Sequence, residues 1–279
     1  MTERKKLVVL VPISSAATFE GLSALRRSIE EVLEPFSSKL EVSFLFTANK
    51  NDSDGSSRTL TLAQKVAKEV SNSEVLIIET TGGGITDVGA GRYVRGFYEA
   101  ALRGDYVIEL DSEDHDPRVI DAFVKPLLEG KLAVMSSRFM LPGAKHKFIL
   151  QRKLASVGIT LLANCFLRLG MFIPDMASGY EGYSSVLLRE VYGACPWQQW
   201  LTLKSTTTLI NTELRAKVLW SLLACNKDQK ENVVLVPIVF GDSQGAPFPS
   251  AVVVKALKGF WGLIIARNPF IKKIREAQT

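Results

Sequence analysis

Short apolar runs alternate with segments of helical periodicity through the first half of this 279-residue chain. The run 7–13 contains no polar side chain, which is the pattern of a strand buried on both faces. The next segment, 19–33, carries apolar residues at helical spacing: Leu22, Leu25, Ile29 and Leu33. Because repeated strand–helix units of this length join neighbouring parallel strands, the pattern predicts an α/β fold with a mostly parallel central sheet flanked by helices.

The same patterns assign the remaining elements. The predicted strands of the first half are 7–13, 40–46, 75–78, 106–110 and 132–135, with helices at 19–33, 58–70, 89–102 and 116–128. The second half predicts helices at 148–170, 185–191, 207–225 and 251–267, and β structure at 178–183 and 233–240. We expect one domain over 1–249, followed by an amphipathic helix and a polar tail over 250–279. Ligands of such sheets bind outside the carboxyl ends of the strands.

Composition excludes several classes of protein. A hydrophobic content of 47% against 23% charged residues is too apolar for a disordered chain. The three cysteines form no C-x-x-C pair and are too few for a disulfide scaffold, which favours reduced thiols in a cytoplasmic protein. No uninterrupted apolar run reaches the ~18 residues of a membrane span. The net charge of +5 suits an anionic ligand, an anionic membrane surface or nucleic acid, without choosing among them.

Acidic residues follow the buried strand 106–110 directly. Asp111 and Glu113 project to the same side of an extended backbone, since side chains alternate along it. Two carboxylates at the carboxyl end of a central strand suit Mg²⁺ or Mn²⁺. An equally weighted alternative is a solvated acidic loop in which Asp116 caps the next helix.

Three other features bear on function. The glycines of 89–96 resemble a dinucleotide fingerprint weakly, and we interpret them as permitting a turn and close helix packing. Arg138, after the fifth strand, and Arg152 are basic residues of the kind that bind phosphate. The only two histidines, His115 and His146, form no nucleophilic triad with serine or cysteine in the expected order.

The helix 251–267 combines a broad apolar surface with Lys255, Lys258 and Arg267. This composition is typical of a helix that lies on an anionic lipid surface. Packing of the same surface on the domain or on a second subunit is at least as strong an alternative. The sequence therefore leaves open a peripheral contact with the inner face of a membrane.

The order of the motifs resembles glycosyltransferase family 2, and within it the polyprenyl-phosphate sugar transferases such as the dolichyl-phosphate mannose synthases. The residues that carry the resemblance are Gly91-x4-Gly96, Gly104-Asp105-Tyr106-Val107-Ile108, Leu110-Asp111-Ser112-Glu113, Asp116-Pro117, Ser137-Arg138-Phe139 and Ser178-Gly179-Tyr180-Glu181-Gly182-Tyr183-Ser184. The resemblance implies the GT-A fold, a nucleotide-diphosphate-sugar donor, a divalent metal, and transfer of the sugar with inversion, with a polyprenyl phosphate as the leading acceptor.

The resemblance also assigns roles to residues. The expected metal ligands are Asp111, Glu113 and His115; the donor-binding residues are Pro12, Asn49, Asp54 and Gly91; the acceptor-phosphate residues are Arg138 and Arg152. A lipid phosphate is already anionic and needs no general base. If the acceptor is a hydroxyl, a carboxylate must take its proton, and Asp114 and Glu181 are the candidates.

Several positions depart from the family pattern. Asn49 stands near the usual acidic position of the second strand, Glu113 replaces the usual aspartate, and the segment 240–249 lacks the usual arginine and lysine. Two alternatives therefore remain. One keeps the chemistry and changes the acceptor to a protein, a glycan or hydroxymethylated DNA. The other is a catalytically inactive binding protein on a transferase fold.

Overall fold

The computed structural model describes residues 3–14, 16–50, 57–69, 72–78, 88–111, 115–147, 150–201, 203, 209–240 and 250–278, and of residues 78, 88–89 and 250–255 the backbone only. The strands are β1 (Lys5–Pro12), β2 (Leu40–Asn49), β3 (Ser73–Ile78), β4 (Tyr106–Glu109), β5 (Ala133–Ser137), β6 (Lys145–His146), β7 (Glu181–Ser184), β8 (Val233–Pro237) and β9 (Val239–Phe240). The helices are α1 (Phe19–Leu33), α2 (Arg58–Lys68), α3 (Val88–Arg103), α4 (Asp121–Leu128), α5 (Leu150–Phe166), α6 (Ser185–Ala194), α7 (Ile210–Ala224) and α8 (Ser250–Glu276), with single helical turns at Glu34–Phe36, Pro117–Val119, Trp197–Gln199 and Gln229–Asn232.

Within the described part of the chain, seven strands form one sheet in the order β3-β2-β1-β4-β7-β5-β8. Every neighbouring pair is parallel except those made by β7, which runs antiparallel to both β4 and β5. A separate two-stranded ribbon pairs β6 with β9. The predicted α/β class with a mostly parallel sheet is confirmed.

Strand β1 is apolar on both faces because it separates two hydrophobic clusters. Val8 and Leu10 belong to the larger cluster, with α3, α6, α7 and α8, whereas Leu7, Val9 and Val11 belong to the other, with α1 and α4. Side chains alternate along a strand, so the buried part of this central strand, Leu7 to Pro12, is apolar toward both helical layers.

Helix α3 lies close to the sheet at a glycine. A Cβ on Gly96 would lie 2.8 Å from Leu10 Cδ1 and 3.1 Å from Thr47 Cγ2. A side chain here would force Leu10, or the helix itself, to shift. The interpretation of this glycine as one that permits close helix packing is confirmed.

Four predicted boundaries are wrong in informative ways. The helix predicted at 116–128 begins as a single 3₁₀ turn, because Asp116 caps that turn by accepting from the Arg118 amide, and α4 starts only at Asp121. The cap itself is confirmed. The helix predicted to end at 170 stops at Phe166, just before Arg168, whose φ of 50° lies in the left-handed region that a helix cannot contain.

The predicted strand 233–240 is two strands. Pro237 has no N–H to donate, and beyond it the chain leaves the large sheet to pair with β6. The last boundary concerns the predicted polar tail, which is helical as far as Glu276. Within the described residues, no helix is both long and apolar enough to cross a membrane.

One face of α8 belongs to the core. Phe260, Leu263, Phe270 and Ile274 are buried in the larger cluster together with residues of α7. Leu257, Trp261 and Ile265 are exposed on the other side. The helix therefore packs on the domain through one face and presents a second apolar face outward.

We predict that Leu263→Ala lowers the free energy of unfolding by about 2–5 kcal/mol, because it removes methyl groups from a fully buried site. The matched control is Ile265→Ala on the same helix, where the side chain is 67% exposed and the expected change is within about 0.5 kcal/mol. Urea unfolding followed by circular dichroism measures both. Equal effects of the two changes would contradict the packing of α8 on α7.

Candidate active site

The carboxyl ends of β2, β1 and β4 meet along one edge of the sheet. Asn49 ends β2 and Pro12 ends β1, while Asp111 follows β4 by two residues. The backbone N–H of Leu110 donates to the Leu10 carbonyl, so Asp111 lies beside the end of β1. The structure thus brings three of the predicted site residues to the same edge.

Asp111 is held from two sides. Its Oδ1 accepts a hydrogen bond from the Tyr93 hydroxyl on α3. Its backbone N–H donates to Nδ1 of His115 at 2.9 Å. Its Oδ2 faces Gly179 and would lie 3.5 Å from a Cβ placed there. One carboxylate oxygen is anchored, and the other is directed toward the loop before β7.

His115 is a buried, neutral imidazole. Burial lowers its pKa to about 4, and the guanidinium of Arg138 acts in the same direction, against the carboxylate of Asp111. Its ring packs against Tyr180 and Phe240, with centroids 5.0 and 5.4 Å away. Because Nδ1 accepts from a backbone N–H, Nε2 carries the proton and offers a donor rather than the lone pair that a metal requires.

Glu109 is a site residue that the sequence reasoning missed. It ends β4, it is fully buried, and neither carboxylate oxygen has a hydrogen-bond partner among the described residues. Burial, followed by the negative charges of Asp111 and Glu181, raises its pKa well above the usual range of a glutamate, which favours the protonated form. The available signal was a lone acid inside the apolar strand 106–110.

Glu181 lies opposite Glu109 in the sheet and is paired with a cation. Its Oε1 accepts from Arg215 Nε at 2.6 Å, and its Oε2 accepts from the Tyr183 hydroxyl at 2.6 Å. Burial raises the pKa of Glu181, and Arg215 offsets part of that shift. Glu181 is one of the two predicted bases for a hydroxyl acceptor. To take up the proton of that hydroxyl, it would first have to break its ion pair with Arg215 and become exposed to solvent.

Arg138 makes a two-pronged ion pair with a buried carboxylate. Its Nε and Nη2 donate to Asp175 Oδ2 and Oδ1 at 2.7 and 2.9 Å. Burial alone would raise the pKa of Asp175, but the charge and hydrogen bonds of Arg138 outweigh it and hold that pKa below its ordinary value. The second predicted phosphate ligand, Arg152, lies in the first turn of α5 and is partly exposed.

Arg92 is a second residue that the sequence reasoning missed. It lies on α3 next to the predicted donor residue Gly91 and donates through Nη1 to the carbonyl of Ile13, just beyond β1. Its Nε is buried and has no partner among the described residues. A guanidinium at this edge can attract an anionic ligand. The remaining predicted residues, Asp54, Glu113 and Asp114, lie outside the described residues.

The described side chains fit part of a metal site. No group of three histidine, cysteine, aspartate or glutamate residues converges within the described part of the chain. Asp111 provides one correctly placed hard oxygen ligand, which suits Mg²⁺ or Mn²⁺. Such ions usually take only one or two carboxylates, together with waters and substrate phosphates.

The fold and site together define an α/β protein with a carboxylate site at the carboxyl edge of its sheet. No protein-family model matches the sequence. Two solved structures that resemble the chain are of glucosyl-3-phosphoglycerate synthase from Mycobacterium tuberculosis, one with Mn²⁺, UDP and glucosyl-3-phosphoglycerate and one with UDP. Each is 17% identical, covers 92% of this chain and 80% of that chain, and has a TM-score of 0.47.

We predict that Arg138→Met lowers the free energy of unfolding at pH 7 by about 3–5 kcal/mol, because it leaves the Asp175 carboxylate buried without its cation. In the unsubstituted protein the depressed pKa of Asp175 contributes stability that is present at neutral pH and lost as the pH falls through that pKa. In the variant, the Arg138 side chain no longer offsets the burial of this carboxylate, so we expect its pKa to rise. The deficit should therefore shrink between pH 7 and pH 4.

Urea unfolding across this pH range measures the effect. The matched control is Arg118→Met, because Arg118 pairs with Asp116 at the surface, where solvent screens the pair and its loss should change the stability little. A deficit for Arg138→Met that stays constant with pH would contradict the assignment.

Proposed function

We propose that this chain is a metal-dependent glycosyltransferase that moves a sugar from a nucleotide-diphosphate sugar to a lipid phosphate. The observation that carries the proposal is Asp111, which stands at the carboxyl edge of the sheet with one oxygen anchored by Tyr93 and the other directed toward Gly179. A carboxylate fixed in this way can bind a cation without first paying the entropy of ordering its side chain.

The donor nucleotide is proposed to bind along the ends of β1 and β2. Asn49 supports this placement, because its buried Oδ1 has no partner among the described residues and can accept from a base N–H. Pro12 would pack beside the base, and Arg92 would attract the diphosphate from the adjacent helix. Asp54 and Gly91 remain candidates for the same donor pocket.

The proposed metal ligands are Asp111 and Glu113. When bound, Mg²⁺ or Mn²⁺ would supply Lewis-acid neutralisation of the charge on the leaving diphosphate. An oxygen of the acceptor phosphate attacks the anomeric carbon, and the bond from that carbon to the diphosphate oxygen breaks, with the electron pair leaving on the nucleoside diphosphate. This direct displacement inverts the anomeric centre. The ion pair with Arg215 supports a structural role for Glu181, and Asp114 remains the candidate base for a hydroxyl acceptor.

The distribution of charge supports a lipid-bound acceptor. The segments 130–174 and 243–275 together contain 13 Lys and Arg and no Asp or Glu, whereas the rest of the chain contains 21 Lys and Arg and 29 Asp and Glu. Helices α5 and α8 lie in these two segments and are neighbours in space, since Leu162 and Phe166 line one groove with Leu257 and Trp261.

The outer surface of these two helices is apolar as well as basic. The exposed apolar side chains are Leu150, Leu154, Leu161 and Phe166 on α5 and Leu257, Trp261 and Ile265 on α8. Exposed apolar side chains on helices that also carry Lys and Arg match the interface of an anionic bilayer. A protein, glycan or DNA acceptor would not require this apolar surface. Arg152, in the first turn of α5, would meet the phosphate of a lipid held there.

We predict that Asp111→Asn lowers turnover by about 100-fold or more and leaves the fold intact, because it removes charge from the cation site without changing the size of the side chain. The assay is release of UDP from UDP-glucose and of GDP from GDP-mannose, with Mn²⁺ or Mg²⁺ present. The matched control is Asp121→Asn, since Asp121 forms a surface ion pair with Lys125.

Undiminished turnover of Asp111→Asn would contradict the metal assignment. If the chain is instead a catalytically inactive binding protein, we expect a different result. The unsubstituted chain would then bind sugar nucleotides in Mn²⁺ but release no nucleoside diphosphate from them.

We predict that the full chain sediments with phosphatidylglycerol vesicles at low salt, and that added salt weakens this binding by screening. Leu257→Ser combined with Trp261→Ser should weaken it at least about tenfold, because each change removes apolar surface from the lipid contact. The matched control is Leu102→Ser, an exposed leucine on α3. Failure of the unsubstituted chain to sediment would contradict the lipid-phosphate acceptor.

A further inference from the structure

Three side chains and one glycine converge at Oδ2 of Asp111, the carboxylate oxygen that Tyr93 does not hold. A Cβ built on Gly179 would lie 3.2 Å from Asn211 Nδ2, 3.5 Å from Asp111 Oδ2 and 3.7 Å from His115 Cε1. These residues come from the loop before β7, the first turn of α7, the end of β4 and the bridge between residue 115 and β9. A methyl group at residue 179 would therefore contact all three of these side chains.

Two polar atoms of this cluster have no partner among the described residues. They are Nε2 of His115, which is 5% exposed, and Oδ1 of Asn211. Buried polar atoms are normally hydrogen-bonded, and leaving one without a partner destabilises the protein. A ligand that bonds both atoms would remove that destabilisation.

The cluster offers both hydrogen-bond donors and acceptors. Asp111 Oδ2 and Asn211 Oδ1 accept, whereas His115 Nε2 and Asn211 Nδ2 donate, because the backbone N–H of Asp111 occupies His115 Nδ1. A hydroxyl group both donates and accepts, so neighbouring hydroxyls match this arrangement. A phosphate group in this position would be repelled by the carboxylate of Asp111.

We propose that Gly179, His115 and Asn211, together with Asp111 Oδ2, form the subsite that binds the ring hydroxyls of the transferred sugar, and that Asn211 determines which sugar is accepted. This proposal rests on the proposed function, since it concerns the sugar of the nucleotide-sugar donor. It gives His115 a hydrogen-bonding role in place of the predicted metal ligation. It also gives a role to Asn211, to which the sequence patterns assign none.

The position of Asn211 is fixed by the helix that carries it. Arg215 lies one turn further along α7 and donates to Glu181 of β7 and to the carbonyl of Ser136 at the end of β5. Thr212, next to Asn211, donates to the Met176 carbonyl at 2.9 Å. The amide is therefore presented from a rigid element, as sugar discrimination requires.

The test compares binding of UDP with UDP-glucose, and of GDP with GDP-mannose, in Mn²⁺ by calorimetry. We expect the unsubstituted chain to bind one sugar nucleotide more tightly than its nucleoside diphosphate. Asn211→Ala should weaken that sugar nucleotide by about 3- to 10-fold and leave the nucleoside diphosphate unchanged, because it removes hydrogen bonds to the sugar only. The matched control is Asn72→Ala, an exposed asparagine before β3, which should change neither affinity.

A second variant approaches the subsite from its other side. Gly179 has no positive φ, so Gly179→Ala introduces a methyl group into the space without backbone strain. It should weaken the sugar nucleotide at least as much as Asn211→Ala does, again without changing the nucleoside diphosphate. If Asn211→Ala fails to fold by circular dichroism, this variant decides the question alone.

The outcomes of these experiments distinguish failure of the sugar subsite from failure of the proposed glycosyltransferase function. Equal weakening of the nucleoside diphosphate and the sugar nucleotide would place Asn211 at the metal or diphosphate and overturn the subsite. No effect of either variant would also overturn it, with the proposed function intact. A chain that binds neither the nucleoside diphosphates nor the sugar nucleotides would overturn both.

Discussion

The guanidinium of Arg215 joins more parts of this molecule than any other group described above. It bonds Glu181 of β7 at 2.6 Å, the Ser136 carbonyl of β5 at 3.0 Å and the carbonyl of Asp175 in the loop before β7. Arg215 and Glu181 are both fully buried, so neither charge can be released without leaving the other uncompensated, at a cost of about 3–5 kcal/mol. The pair therefore holds the antiparallel strand in place, and with it the loop that faces Asp111.

Helix α7, which carries Arg215, is itself held firmly in place because it is buried on nearly every side. Its other charged residues are also paired inside the protein, since Lys217 bonds Glu213 at 2.6 Å and lies 4.0 Å from the centre of the Trp200 ring. A closely packed helix with internal ion pairs has no low-energy way to slide or rotate. The first turn of α7, which carries Asn211, is thus placed by groups that lie deeper in the core.

The parallel sheet and the position of Asp111 were predictable, because both depend on local patterns. An apolar run predicts a buried strand, and an acid directly after it lies at the edge where ligands bind. The ion pairs were not predictable. Arg215 and Glu181 are 34 residues apart, and Arg138 and Asp175 are 37 apart, so no helical or strand spacing connects them. Glu109 was visible in the sequence as a single acid in an apolar strand, but the prediction treated it as part of that strand and not as a site residue.

The antiparallel strand also determines the order in which the sheet can assemble. Strands β3, β2, β1 and β4 are contiguous in the sheet and complete by residue 109, so they can pair as the chain leaves the ribosome. Strand β5 pairs only with β7 and β8, both of which come more than forty residues later. Until β7 is synthesised, β5 has no neighbour in the sheet, and a strand that is fully buried in the folded protein stays unpaired in the nascent chain. Closure of the sheet is therefore a late, non-local event, and the first half of the protein folds as a platform for the second.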